Sequence, residues 1–394
     1  MLSNRQLFQR HIAQTSDSPL MLEIIRAEGI YMFDDEQNRY MDLISGISVS
    51  NLGHCHPAVV DAVKQQAETY MHLMVYGEYV QSPQVKLAEA ISNTLPKPLD
   101  SVYFVNSGSE AVEGAMKLAK KYTGRSEIIS AYNGYHGSTQ GTLSLSSDEE
   151  LKKGYGPFLP HIKHIEFGNK ADLTMITEHT ACVILETIQG EAGIIISNAD
   201  YWQNLKERCN ETGTLLIADE IQTGFGRTGK FWGFEHYGFV PDIIVSAKGM
   251  GSGMPIGAFV SSKKIMEVIS INPILGHITT FGGHPVSAAG ALAGLEFLLE
   301  STLIEKVEKK GQLFVENLRN LPGIQNIRQK GLMIAIEFSS HKELKTIIDR
   351  GIEMGIITDW FLYNDQSMRI APPLIITEDE INTACELIRK AVMA

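Results

Sequence analysis

The sequence predicts an α/β protein with a large, mainly parallel-sheet domain and a smaller α+β domain, and three observations carry that expectation. Short apolar runs rich in β-branched or aromatic residues recur along the chain; segments with helical spacing lie between several of them; and after Pro285 the alternation gives way to long helical stretches and a mixed tail.

Taken in order, residues 101–105, 127–131, 181–185, 214–218 and 242–247 read as buried strands. Ala111, Ala115, Leu118, Ala119 and Tyr122 fall on one helical face, with Lys117, Lys120 and Lys121 turned elsewhere. Strands that alternate with helices form a largely parallel sheet covered on both faces. From Pro285 a helix is expected through Leu299, another from Thr302 towards Leu318, then strands and helices to about Met393. The expected division is an N-terminal segment, 1–55, that adds to the small domain, a large domain over 56–300, and a C-terminal small domain over 301–394. No repeat or low-complexity linker separates them.

Composition narrows the partners. The 394 residues are 44% hydrophobic and 20% charged, an ordinary globular balance. Forty-six acidic against 34 basic residues give a net charge of -12, which disfavours nucleic acid and anionic membrane as partners, because phosphate binding needs a basic footprint. Small molecules are the expected partners. Met1 to Gln14 is polar, no apolar run reaches membrane-span length, and Cys55, Cys182, Cys209 and Cys385 form no CxxC pair. A cytoplasmic address with reduced thiols is expected, and no metal. His54, Cys55 and His56 cluster without a further ligand at finger or metalloprotease spacing, and Pro57 begins a helix at once.

Ligands of open parallel sheets bind beyond the carboxyl ends of the strands, and three such ends carry chemistry. The run 101–105 enters Asn106, Ser107, Gly108, Ser109 and Glu110 and then a helix, an arrangement whose backbone N–H groups and hydroxyl suit a phosphate. A plain helix cap is the competing reading. The run 214–218 ends in Asp219 and Glu220, followed by Gln222 and a glycine-rich stretch; a half-buried carboxylate there needs a cation or N–H partner, unless it merely caps a turn. The run 242–247 ends in Lys248 before Gly249, Gly251 and Gly253, where desolvation would lower the lysine pKa and leave an amine nucleophile for a Schiff base. Phosphate cradle, carboxylate and lysine together match the general pattern for pyridoxal phosphate, and a lysine that carries a proton between carbon atoms gives transamination.

The chain resembles a known family through seven ordered motifs: NSGSEA from Asn106, YHGST from Tyr135, QGEAG from Gln189, ADEIQTGFGRTG from Ala218, AKGMGSGMPIGA from Ala247, TTFGGHP from Thr279 and RIAPPL from Arg369. These are similar to the class III pyridoxal phosphate aminotransferases, closest to the acetylornithine and ornithine enzymes. The resemblance implies the aspartate aminotransferase-like fold, fold type I of the pyridoxal phosphate transferases. It implies Lys248 as the residue that holds the cofactor and Asp219 as the partner of its ring nitrogen, these two being catalytic. Gln222 is placed near the ring hydroxyl, and Tyr135 on the cofactor face. Ser107, Gly108, Ser109, His136, Glu186 and Thr279 complete the cofactor set, with Thr280 reaching across from the partner subunit of a homodimer with shared active sites. His136 and His284 are expected as packing or polar contacts rather than general bases. Arg369 would grip a substrate carboxylate and Glu191 would act as its switch partner, alternating between two substrates, with a structural ion pair as the bland alternative.

Two positions depart from the pattern. The family usually carries an α-carboxylate-binding arginine after the stacking aromatic, and this chain has Ser138; Ile47 stands where ornithine enzymes have a tyrosine. Met74, Val75, Tyr76, Gly77 and Glu78 are expected at the substrate mouth, with Glu78 as a receptor for a distal ammonium. The leading expectation is ω-amino transfer from an ornithine-like donor such as N-acetylornithine to 2-oxoglutarate, giving an aldehyde and glutamate. Alternatives on the same fold are 4-aminobutyrate, lysine, putrescine or other diamine donors, or an aminomutase or decarboxylase. A non-catalytic cofactor-binding protein is disfavoured because Lys248 and Asp219 are both present.

Overall fold

The computed structural model describes residues 2–75 and 77–394. Near the N-terminus β1 (Ile24–Glu28), β2 (Tyr31–Asp34) and β3 (Arg39–Asp42) pair antiparallel. Next come β4 (Ser101–Val105), β5 (Glu127–Ala131), β6 (Ile162–Ile165), β7 (Thr180–Glu186), β8 (Leu215–Asp219), β9 (Ile243–Ser246) and β10 (Gly257–Ser261). They form one seven-stranded sheet in the order β4-β10-β9-β8-β7-β5-β6. Only β10 runs against its neighbours; the other pairings are parallel.

Period-two alternation explains how both faces of this sheet are covered. Cys182, Ile184, Leu215, Ile217, Ile243 and Val245 turn to the helix Gly108–Thr123, whose Ala111, Val112, Ala115 and Ala119 let it lie close. Val183, Leu185, Leu216 and Ile244 turn the other way, into a core that includes Tyr201, Trp202 and Leu205 of the helix Ala199–Thr212. Glu186 and Asp219, direct register partners on β7 and β8, therefore end their strands side by side.

Towards the C-terminus lie the helices Pro285–Glu300 and Leu303–Leu318, then β11 (Asn326–Lys330), β12 (Met333–Glu337), β13 (Ile356–Ile357), β14 (Asp359–Phe361) and β15 (Asn364–Ile370), and the helix Glu378–Met393. β13 pairs parallel with β3, so residues from both ends of the chain share the sheet β1-β2-β3-β13; the second small sheet runs β11-β12-β15-β14. The strands at 162–165 and 257–261 had not stood out in sequence. The first is edge-like and partly polar, and the second, GAFVS, follows a glycine-rich loop that masks it.

No single helix among the described residues is long and apolar enough to cross a membrane; Pro285–Glu300 and Leu303–Leu318 reach that length only together, across a 78° bend. His54 Nε2 lies 2.9 Å from Asp42 Oδ2, and His56 packs on Phe297 with ring centroids 4.2 Å apart.

Candidate active site

A cavity of about 400 Å³ opens at the carboxyl ends of the central strands, a size that suits a small organic ligand. The β4–helix junction forms one wall. Ser107 caps the helix Gly108–Thr123: its hydroxyl accepts from Glu110 N at 3.2 Å and its carbonyl from Ala111 N at 3.1 Å. No protein acceptor is found for the amides of Gly108 and Ser109 among the described residues, and both residues line the cavity. A helix start with free amides attracts an anion through hydrogen bonding and dipole together. The backbone must come close here: a Cβ on Gly257, the first residue of β10, would stand 2.3 Å from Ser107 O.

The floor is a buried network of three titratable groups. Asp219 Oδ2 lies 2.7 Å from His136 Nδ1, and its Oδ1 accepts from Ile221 N at 3.0 Å. Burial alone would lower the His136 pKa, but the hydrogen bond to Asp219 and the charges of Asp219 and Glu186 hold it above the ordinary histidine value. His136 Nε2 is buried and has no hydrogen-bond partner among the described residues. Glu186 accepts from Tyr135 N at 3.0 Å and Gly190 N at 2.9 Å, yet burial, with Asp219 adding to it, pushes its carboxyl up to about 7.

Lys248 follows β9 and starts a tight turn with φ of +48°, a left-handed conformation costly for a side-chain-bearing residue and common at functional sites. Burial holds its ammonium below the ordinary lysine range; Arg369 pushes the same way, while Glu191, Asp219 and Glu186 oppose. Such a lysine supplies a neutral amine more readily than an exposed one.

Beyond Lys248 lies a buried ion pair. Arg369 on β15 meets Glu191 bidentately, Nη1–Oε1 and Nη2–Oε2 both 2.8 Å, with the pair 3% and 7% exposed. The hairpin β14–β15 wraps it. Trp360 O accepts from Arg369 Nη2 at 3.1 Å, the Phe361 ring lies 4.7 Å from the guanidinium carbon, and Leu362 N donates to Glu191 Oε2 at 3.1 Å. Burial pushes the Glu191 carboxyl up, but the charge and hydrogen bonds of Arg369, with Lys248 and the Leu362 amide, together hold it below the usual carboxylate range.

Ser107, Gly108, Ser109, Tyr135, His136, Glu186, Asp219, Gln222 and Lys248 thus line one cavity. Ser138 does not; it lines an adjoining space with Ser146, Tyr155, Leu362 and Tyr363, its Oγ 3.5 Å from Tyr135 Oη. Ile47 stands on a left-handed turn in which Ser45, Gly46, Ile47 and Ser48 all have positive φ, and Val49 rather than Ile47 reaches the cavity. Thr279 accepts from Asn106 Nδ2 at 3.0 Å but lines a different groove, and Thr280 and Glu78 are exposed outside the cavity. Tyr76 lies outside the described residues. Sequence reasoning missed Ile221 and Met254, which sit inside the quoted motifs without a polar group to single them out, Val49, which carries no motif signal, and Asp359, which pairs across the hairpin with Arg369.

The residues fit pyridoxal phosphate: unpaired amides at a helix start for the phosphate, a buried carboxylate for the ring nitrogen and a desolvated lysine for the aldehyde. Fold and site together define a pyridoxal phosphate-dependent transferase. The chain belongs to the class III aminotransferases, whose family model, "Aminotransferase class-III", matches residues 12–392. It is 40% identical to an acetylornithine aminotransferase of Caldanaerobacter subterraneus subsp. tengcongensis, covering 94% of each chain, and 37% identical to one of Methanopyrus kandleri, covering 99% of each. Its fold is similar to the ornithine aminotransferase of Toxoplasma gondii, with pyridoxal phosphate at partial occupancy in that active site, at a TM-score of 0.90 and 28% identity over 98% of this chain and 93% of that one. The chain is therefore an enzyme of the transaminase type that works with pyridoxal phosphate.

Proposed function

We propose that this aminotransferase takes the terminal amino group of an ornithine-like donor, N-acetylornithine or ornithine, and passes it to 2-oxoglutarate, leaving an aldehyde and glutamate. The observation that carries this reading is the buried bidentate Arg369–Glu191 pair beside Lys248. A carboxylate held by arginine can be exchanged for another carboxylate of the same geometry, so one site serves in turn a donor that brings no carboxylate to Arg369 and a dicarboxylate that does.

Pyridoxal phosphate, when bound, supplies an aldehyde for the amino group and a ring that accepts electrons as the Cα–H bond breaks. Ser107, Gly108 and Ser109 would hold its phosphate, Gln222 its ring hydroxyl and Tyr135 its face. Asp219, braced by His136, would keep the ring nitrogen protonated. Lys248 Nζ would first anchor the aldehyde and then, displaced by substrate, carry the proton.

The exposed apolar residues Met71, Leu73, Val80, Ile274, Ile278 and Phe281, with Val80 94% and Ile274 75% exposed, support a homodimer across this face. In that dimer Thr280 would reach the partner's cofactor phosphate. Glu78, on the same face, would then meet a distal ammonium. Four free cysteines support a reducing, cytoplasmic location. The domain limits 1–55, 56–300 and 301–394 would bracket the site between them.

One observation favours a second donor class. The space around Ser138 is lined by no lysine or arginine among the described residues, and His136, which also lines it, is committed to Asp219, so it offers no guanidinium or ammonium to an α-carboxylate. Diamines or other terminal amines without that carboxylate fit it. The test is a single-turnover absorbance assay on the holoenzyme with N-acetylornithine, ornithine, 4-aminobutyrate, lysine and putrescine offered separately. Fast loss of the pyridoxal band with N-acetylornithine or ornithine supports the first reading; silence there with conversion by putrescine replaces it by the second.

A further inference from the structure

Arg369 is met by a second carboxylate. Asp359 on β14 stands opposite Arg369 in the hairpin register, and its Oδ1 lies 3.0 Å from Arg369 Nε. The two atoms are within hydrogen-bond distance and both are buried, but the N–H is poorly aligned on the oxygen, and neither atom has a better-aligned partner among the described residues. The guanidinium is oriented by other means, Glu191, Trp360 O and the Phe361 ring. Two carboxylates thus surround one cation, Glu191 through a well-aligned bidentate pair and Asp359 through a poorly aligned contact.

We propose that Asp359 is a specificity-determining residue, a standing negative charge that weakens the hold of Arg369 on a substrate dicarboxylate. This rests on the reading of Arg369 as the substrate-carboxylate site. When a dicarboxylate arrives, its carboxylate takes the place of Glu191 and the displaced Glu191 stays nearby, so the cluster gains a negative charge. Asp359 raises the cost of that gain, and a donor that leaves the Arg369–Glu191 pair in place does not incur it. Neutralising Asp359 therefore shifts the balance towards the dicarboxylate.

The environment makes that neutralisation accessible near physiological pH. Burial pushes the Asp359 carboxyl up to about 6, Arg369 opposing and Glu191 and Asp42 adding to the rise. Among the described residues these three charged groups act on it most strongly, from β15, from the connection after β7 and from β3, and Asp42 is itself committed to His54 and to the amides of Ile44 and Ser45. An added negative charge raises the proton affinity of Asp359 further, so dicarboxylate binding takes up a proton and tightens as pH falls from 8 towards 6.

The test uses glutarate, an unreactive dicarboxylate, titrated calorimetrically into the holoenzyme between pH 6 and 8, with correction for glutarate's own ionisation. The wild type is expected to bind roughly three- to tenfold more tightly at pH 6 than at pH 8. Asp359→Asn is expected to bind at pH 8 about as tightly as the wild type at pH 6, with a flattened profile. A variant that keeps the wild-type slope and affinity overturns the proposal, as does one that binds more weakly, since Asp359 would then be a support for Arg369. A flat wild-type profile overturns it without any variant. Arg369→Gln separates the two layers: loss of glutarate binding there keeps the carboxylate-site reading whatever Asp359 does, and unchanged binding sinks that reading itself.

Discussion

Replacing Arg227 by methionine tests how the catalytic loop is held to the rest of the molecule. The guanidinium is fully buried and donates to Asn51 Oδ1 at 2.5 Å, Pro372 O at 2.5 Å and Leu332 O at 3.2 Å. Burial pushes its pKa down to about 9, with the charge of Asp42 opposing. These bonds tie together the turn before β12, the loop that follows Arg369 and the segment at Asn51. Asn51 in turn donates to Phe225 O at 3.1 Å, and a Cβ on Gly249, next to Lys248, would stand 2.5 Å from its Nδ2. Methionine fills much of the volume and leaves three buried acceptors without donors. Hydrogen bonds from a charged donor contribute about 1.5–3 kcal/mol each. Relief from burying the guanidinium offsets part of this, so the net loss is about 3–5 kcal/mol. At about 2.1 cal/mol/K of unfolding entropy per residue over 394 residues, the thermal midpoint falls by roughly 4–6 °C. Calorimetry of the holoenzyme measures it, with Arg227→Lys, which keeps a single donor group, expected to lose less. An unchanged or raised midpoint for Arg227→Met would refute the reasoning.

Two further perturbations probe the cofactor end. Gly257→Ala drives a methyl group against Ser107 O, a backbone atom that cannot turn aside, so the β4–β10 junction must spread; the apoenzyme should take up pyridoxal phosphate at least about tenfold more weakly by fluorescence titration. Wild-type affinity would show that the phosphate loop does not depend on this approach. Glu186→Gln tests linkage. The folded carboxyl, at about 7 against 4.5 when free, keeps a proton that the unfolded chain releases; its contribution is complete below about pH 4.5 and lost as pH rises to about 7. Denaturant unfolding of the apoenzyme should show the variant gaining on the wild type across that window and no further above it, whereas a pH-independent difference would count against the buried, protonated carboxyl.

Much of this architecture was legible in the sequence because its buried strands are continuous apolar runs. The run at 181–185 lies in β7, those at 214–218 and 242–247 match β8 and β9 to within a residue at each end, and the residues at their carboxyl ends include Asp219 and Lys248. Local motifs placed Ser107, Gly108 and Ser109 at a helix start for the same reason: the chemistry and the turn are adjacent in the chain. What was not legible depends on contacts between distant segments. His136 against Asp219 spans two strand ends, and Arg227 reaches Pro372 across the fold. Asp359 faces Arg369 only because a hairpin sets that register, which neither residue announces. The left-handed turn through Ile47 was equally hidden, since isoleucine is the last residue type from which a positive φ would be read. Thr280 and Glu78 are exposed outside the cavity, on the face for which a homodimer is proposed, and a contact with a second chain is not written in one chain's sequence.

The most direct measurement of the central claim is covalent trapping of the cofactor. Holoenzyme treated with borohydride, digested and mapped by mass spectrometry should carry the reduced pyridoxyl group on the peptide containing Lys248, and Lys248→Ala should carry none there and turn over no substrate. A pyridoxyl label on another lysine, or wild-type turnover by the alanine variant, would contradict the assignment on which the whole account of the site depends.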